Sequence, residues 1–298
     1  MSAVPSLFCF GLGYSAGFLA RALAAEGWRI AGTTREAAAC ARLSAQGFDM
    51  HLFAPDRSLA APAVAALAGA SHLLSSVPPD AAGDPLLAVH GADIAALRRL
   101  RWVGYLSTTG VYGDRGGAWV DETSALTPSG ERGRRRVAAE AEWLDLHRRH
   151  GLPVHVFRLA GIYGPGRSAL DTVREGRARR IDKPGQVFSR IHVADIVATL
   201  RASMARPDPG AAYNVCDDDP APPEAVIAHA CALLGVAAPP LVPFDAAELS
   251  PMARSFYDDN KRVSNRRIKQ ELGVRLGYPS YKDGLKALLD PTVPPASG

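Results

Sequence analysis

Short apolar runs alternate with amphipathic helical stripes along the first half of the chain, and no other feature constrains its fold as strongly. Leu7–Phe10, Trp28–Thr33, Phe48–Phe53, Ser71–Ser75, Trp102–Ser107 and Val154–Leu159 read as strands. Between them, Phe18, Leu19, Ala22 and Leu23 mark a helix that Gly27 stops. Leu86–Leu97 reads as a second helix, and Val137, Ala141 and Leu144 as the stripe of a third. Strand, helix, strand repeated over about 160 residues predicts a parallel sheet covered by helices on both faces. The expected class is α/β, a doubly wound parallel sheet.

Beyond Leu159 the rhythm loosens. Val193, Ile196, Val197, Leu200 and Met204 keep helical spacing, and Ala212–Cys216 reads as an isolated strand. Pro222–Leu234 opens on prolines and stops at Gly235, as a helix should. The Pro-rich stretch 236–251 is expected to wrap the surface. The division predicted is a nucleotide-binding domain over 1–160 and a smaller substrate-binding lobe over 161–298, interleaved with the first.

Gly11-Leu12-Gly13-Tyr14-Ser15-Ala16-Gly17 directly follows the first strand and opens the first helix. In this setting Gly11 permits a tight turn and Gly13 lets a pyrophosphate approach the backbone. Ala16 allows close helix–strand packing. Tyr14 and Ser15 begin the helix whose unpaired N–H groups and positive dipole end would face the phosphates. The pattern predicts a dinucleotide site of the Rossmann kind.

The second strand ends in Ala31-Gly32-Thr33-Thr34-Arg35-Glu36. NAD-selective sites carry a carboxylate there for the ribose hydroxyls. Thr33 or Thr34 stands in its place, and the fork of Arg35 suits a 2′-phosphate. NADP is therefore expected, with NAD the other option. The alternative leaves Arg35 as a solvated surface charge and Glu36 as the ribose ligand. Ser75, Val77 and Pro78, where the fourth strand ends, are candidates for backbone contact with adenine or ribose, the alternative being a simple prolyl turn.

Charge and cysteine usage narrow the partners. Thirty-four basic against 30 acidic side chains leave a net charge of only +4, with no concentrated basic stripe, so nucleic acid is not expected. Cys9, Cys40, Cys216 and Cys231 are widely spaced and form neither a metal motif nor a disulfide frame. No metal site is expected, and Asp217-Asp218-Asp219 reads as a solvated turn. Met1–Ala20 lacks a basic leader, and no later run of about 20 apolar residues spans a membrane. The expectation is a cytoplasmic protein with a small-molecule substrate, and a homodimer is compatible with it.

Tyr105-Leu106-Ser107-Thr108-Thr109-Gly110-Val111-Tyr112-Gly113-Asp114 resembles the strand-five motif of the extended short-chain dehydrogenases/reductases, the superfamily of nucleotide-sugar epimerases and dehydratases. Further segments are similar in order along the chain. They are Asp121-Glu122-Thr123 with Pro128, Arg158 to Gly166, Arg190 to Asp195, Tyr213-Asn214-Val215, Leu272-Gly273 and Tyr278-Pro279. The resemblance implies that Thr108, four residues before Tyr112, polarises a substrate oxygen. It also implies a Tyr and, four residues later, a Lys, followed by an acidic residue. Counted back from Glu140, the Lys position holds Arg136 and the Tyr position holds Arg132, within Glu131-Arg132-Gly133-Arg134-Arg135-Arg136.

That departure has chemical consequences. The family's Tyr is a general acid/base, and a guanidinium, which stays protonated in proteins, cannot replace it as a base. Arg132 is suited to an oxyanion or an anionic substrate group, and Arg136 to nicotinamide ribose hydroxyls. Tyr112, Tyr163 and His192 are the remaining candidate acids. Substitutions of this kind resemble the atypical branch of the superfamily, which lacks the Tyr/Lys pair. The expected activity is that of an NAD(P)-dependent oxidoreductase or epimerase acting on an oxygen-rich, sugar-nucleotide-like or anionic metabolite. The rival expectation is a catalytically impaired NADP(H)-binding sensor or regulator.

Overall fold

The computed structural model of the chain describes residues 4–55 and 57–289. They divide into two compact units, each built from several chain segments. Unit 1 takes the chain up to Ser107, then Arg135–Arg158 and Leu200–Tyr213. Unit 2 takes Thr108–Arg134, Leu159–Thr199 and the chain from Asn214 onward.

Unit 1 is built around a parallel sheet. Its elements run β1 (Ser6–Phe10), α1 (Tyr14–Ala25), β2 (Arg29–Thr34), α2 (Ala37–Ser44), β3 (Asp49–Leu52), α3 (Ala61–Ala68), β4 (His72–Ser75), α4 (Pro85–Ala96), β5 (Trp102–Thr108) and α5 (Glu131–His150), the last entering the unit at Arg135. The strand Val154–Leu159 and the strand Ala212–Val215 complete a seven-stranded order: Ala212–Val215, Val154–Leu159, β5, β4, β1, β2, β3. Registers such as Phe8 beside Ala31 on one side and Leu73 on the other are parallel.

Doubly buried strands need apolar residues at consecutive positions, and β1 supplies them: Leu7, Phe8, Cys9 and Phe10 are all sealed from solvent. Phe8, Phe10, Leu73, Val103, Tyr105 and Val156 share a core with residues of α3, α4 and α5, including Leu67, Ile94 and Trp143. This is the doubly wound sheet expected from the alternation. Ala212–Val215 is not isolated, however. It forms the edge of the main sheet, a pairing between segments over 50 residues apart in sequence that local pattern does not reveal. The helices α2 and α3 also had no legible stripe, because both are short and rich in alanine.

Unit 2 holds three parallel two-stranded pairs: Gly161–Tyr163 with Arg190–His192, Arg180–Asp182 with Leu241–Pro243, and Trp119–Val120 with Arg262–Val263. The helix Pro223–Leu234 ends at Gly235, whose φ of +66° is the left-handed conformation glycine adopts without strain. Tyr163, Leu170, Val226, Tyr281 and Leu285 form a core cluster. No helix among the described residues is long and apolar enough to cross a membrane.

Asp217 corrects the expectation of a solvated turn. Its side chain is buried, and Oδ2 accepts no hydrogen bond among the described residues. Burial pushes its carboxyl up to about 8, opposed by the Asp219 N–H and the nearby Arg190 charge. A folded-state value raised this far stabilises the protein at low pH, and the contribution is lost as pH rises through about 8. His192, lowered to about 4 by burial, acts in the opposite direction, and only below its ordinary value near 6.5. The melting temperature is therefore predicted to fall between pH 6.5 and 8.5. Asp217→Asn should flatten that fall, as followed by circular dichroism, and an unchanged slope would refute the assignment.

Candidate functional site

In unit 1, β1 delivers the chain into a turn at Gly11, whose φ of +76° is open only to glycine at low cost. A Cβ there would also meet Ser76 Oγ at 3.1 Å and Val77 Cγ2 at 3.3 Å. Gly13 is the N-cap of α1, and no side chain caps it. A Cβ on Gly13 would meet only Gly11 O, at 3.9 Å, so the space beside it is open. Ser15 and Ala16 are buried against the sheet, while Tyr14 is half-buried. An uncapped helix N-terminus beside an open glycine fits a pyrophosphate, which needs N–H donors, positive dipole and room at the backbone.

The end of β2 separates the two threonines. Thr33 is sealed, and its hydroxyl accepts the Gly11 N–H at 3.0 Å. Thr34 is half-buried, and Arg35 and Glu36 are exposed, so these three side chains, unlike that of Thr33, are open to a ligand. At the end of β4, Ser75 is fully buried and its hydroxyl has no partner among the described residues. Its side chain thus faces the interior, and a contact with adenine or ribose there would be made by the backbone. The adjacent Ser76 does present a hydroxyl to the turn, donating to Gly11 O. Val77 is half-buried and Pro78 exposed.

Arg136 turns toward β5. Its Nη1 donates to Leu106 O at 2.7 Å and to Tyr105 Oη at 3.0 Å, with the guanidinium 5.6 Å from the Tyr105 ring centre. Burial pushes the Tyr105 phenol upward despite that neighbouring positive charge, so it stays protonated. One turn along α5, Glu140 is buried and accepts from Arg158 Nε at 3.2 Å and Nη2 at 2.8 Å. Ser107 Oγ donates to the same carboxylate at 2.5 Å. Three segments are thus pinned by one ion pair: β5, α5 and the strand Val154–Leu159.

In unit 2, Thr108 is half-buried and accepts the Gly110 N–H at 3.1 Å, capping a short turn over Thr109–Tyr112. Arg132 is exposed, its guanidinium 5.8 Å from the Phe256 ring centre. The neighbouring Gly133 is buried, and a Cβ there would lie 2.6 Å from Pro128 Cβ and 2.9 Å from Gly110 O. Only glycine lets the start of α5 approach that turn.

The candidate acids lie deeper. Tyr112 is fully buried and donates its proton to Asn214 Oδ1 at 2.8 Å, which corrects its assignment as a group open to substrate. Tyr163 is buried against His192, and burial raises its phenol well above the usual range. His192 accepts the Ala194 N–H on Nδ1 and is held neutral.

The sequence reading missed Ser76 as a partner of the turn and Thr33 as its acceptor. Both hydroxyls stood in segments already singled out, but only the fold shows which hydroxyl points at Gly11. No group of three or more potential metal-ligating residues occurs among the described residues.

The profile of the NAD dependent epimerase/dehydratase family matches residues 11–216. Protein YeeZ of Escherichia coli K12 is 30% identical over 283 residues, covering 90% of this chain and 94% of YeeZ. The structure of a functionally unknown conserved protein from Silicibacter pomeroyi is 57% identical with a TM-score of 0.89, covering 96% of this chain and 98% of that one. UDP-glucuronic acid 4-epimerase from Bacillus cereus in complex with NAD has a TM-score of 0.73 at 14% identity, covering 95% and 96%, a likeness of fold.

The buried ion pair yields a direct test. Glu140→Ala strands the Arg158 guanidinium in the interior, and such uncompensated charges cost about 3–5 kcal/mol. Urea unfolding should show a loss of that size. A loss under about 1 kcal/mol would mean that solvent reaches Arg158 freely.

Proposed function

The chain belongs to the NAD dependent epimerase/dehydratase family, and from that premise we propose that it binds NADP(H) at the Gly11–Gly17 turn and acts as an oxidoreductase or epimerase. Its substrate would be an oxygen-rich metabolite, sugar-nucleotide-like or anionic. The observation that carries the reading is the open backbone beside Gly13 at the uncapped start of α1. The Bacillus cereus epimerase, similar in fold, has NAD bound, which supports a dinucleotide at this turn and leaves the choice of coenzyme to Arg35.

When bound, the nicotinamide supplies a hydride donor or acceptor. This chain's residues do the rest. The N–H groups at the start of α1 hold the pyrophosphate, and Thr34 meets the adenine-side ribose. Arg35 grips a 2′-phosphate through a charged, forked contact. Arg136, already bonded to Leu106 O, turns its remaining N–H groups to ribose hydroxyls. In unit 2, Thr108 hydrogen-bonds the substrate oxygen, and Arg132 holds an anionic substrate group. Cys9, Cys216 and Cys231 are buried free thiols, which supports a reducing, cytoplasmic setting.

A second reading, coenzyme binding without turnover, is favoured by one set of observations. Tyr112, Tyr163 and His192 are all buried, and by the sequence resemblance Arg132 takes the place of the family's acid.

Both readings require coenzyme binding, and only turnover separates them. NADPH should raise the melting temperature, as a ligand selective for the folded state must. Gly13→Val should abolish the shift by filling the open space. Arg35→Ala should weaken NADPH by about 1.5–3 kcal/mol, as for a charged hydrogen bond, and leave NADH unchanged. No shift with either coenzyme would refute the reading, and equal losses would make Arg35 structural.

On a generic carbonyl, which offers Arg132 no anionic group to hold, the wild type is expected to be slow even if it acts on its own substrate. Arg132→Tyr with Arg136→Lys should raise that rate roughly 10²-fold, the contribution of a placed acid. Brisk wild-type reduction that the double change lowers would instead make Arg132 an oxyanion ligand in an active reductase.

A further inference from the structure

We propose that Thr33 and Ser76 are positioning residues that clamp the Gly11 peptide and thereby set coenzyme affinity, a role that rests on the NADP(H) reading above. Gly11 has the widest conformational freedom of any residue type, and it sits at the one point where the turn must hold a left-handed φ. Its peptide groups are gripped from the two strands that flank β1. From β2, the sealed Thr33 hydroxyl accepts the Gly11 N–H at 3.0 Å, and Thr33 O accepts the Leu12 N–H at 2.8 Å. Just past β4, Ser76 Oγ donates to Gly11 O, which also accepts the Gly13 N–H at 2.7 Å. Ser76 is itself anchored, its N–H donating to Phe10 O at 3.0 Å.

Both hydroxyls are therefore spent on the turn. Thr33, 1% exposed, cannot reach a ligand at all. Its effect on binding can only pass through the shape of the turn. Without the clamp, the free turn samples more conformations, and binding must then remove that freedom. The pyrophosphate is common to NADPH and NADH, so the clamp should serve both coenzymes equally. Arg35, in contrast, serves only the one carrying a 2′-phosphate.

The test is a fluorescence titration of NADPH and NADH against the full-length wild type, Thr33→Val, Thr33→Ser and Ser76→Ala. It is run at a temperature where circular dichroism shows each unliganded protein folded. Thr33→Val keeps the shape but leaves the Gly11 N–H unpaired. Its Kd is expected to rise about tenfold for both coenzymes, as for a buried donor without a partner. Ser76→Ala should weaken both coenzymes similarly, and Thr33→Ser, which keeps the hydroxyl, should stay within about twofold of the wild type. Should Thr33→Val fail to fold, Ser76→Ala carries the test. Lowered melting temperatures with unchanged Kd would make the hydroxyls purely structural and overturn the proposal, as would a loss confined to NADPH. Wild type binding neither coenzyme would instead refute the underlying reading, and the clamp with it.

Discussion

The candidate coenzyme site depends on β1 lying between β4 and β2. A strand buried on both faces must be apolar throughout, and Leu7–Phe10 is. The chain then leaves β1 at the point where strand order reverses, with β2 and β3 on one side and β4 and β5 on the other. In a doubly wound sheet the following loop opens at the carboxyl edge there, and a helix begins in it. The glycines at 11 and 13, the uncapped start of α1 and the hydroxyls of Thr33 and Ser76 all act at this one position. Each would mean little elsewhere in the chain.

A second constraint is electrostatic. Glu140 and Arg158 neutralise each other in the interior, with Ser107 as a further donor to the carboxylate. Such a pair gains little over an apolar core, yet removal of either partner is costly, so it acts chiefly to fix geometry. It ties the end of β5 to α5 one turn beyond Arg136. Arg136 in turn donates from Nη1 to both Leu106 O and Tyr105 Oη. Arg136 thus fastens α5 to the end of β5 at two consecutive residues.

Much of the fold was legible because sheet and helix periodicities are local. The strand Val154–Leu159 occurs with the predicted bounds, and β1, β2, β4 and β5 lie within a residue or two of theirs. Reading failed where a residue's role depends on distant neighbours. Ala212–Val215 looked isolated until a pairing strand more than 50 residues away made it an edge. Asp217 looked solvated because three consecutive aspartates are polar in any local count, yet the chain buries the first of them. Tyr112 looked available as an acid, and only the position of Asn214, some hundred residues on, shows where its proton is held.

From the sequence alone came the layered α/β class and the turn at Gly11 and Gly13, which follow from residue type and spacing acting over a few residues: glycine's backbone freedom and the strand and helix periods. The expectation of a Tyr at 132 and a Lys at 136, where this chain has arginines, came from the family resemblance instead. The tertiary structure decided which of Thr33 and Thr34 faces inward, that Ser76 rather than Ser75 holds the turn, and that Tyr112, Tyr163 and His192 are sealed. A side chain's direction and burial are set by which distant strand or helix packs against it, and no local pattern carries that information.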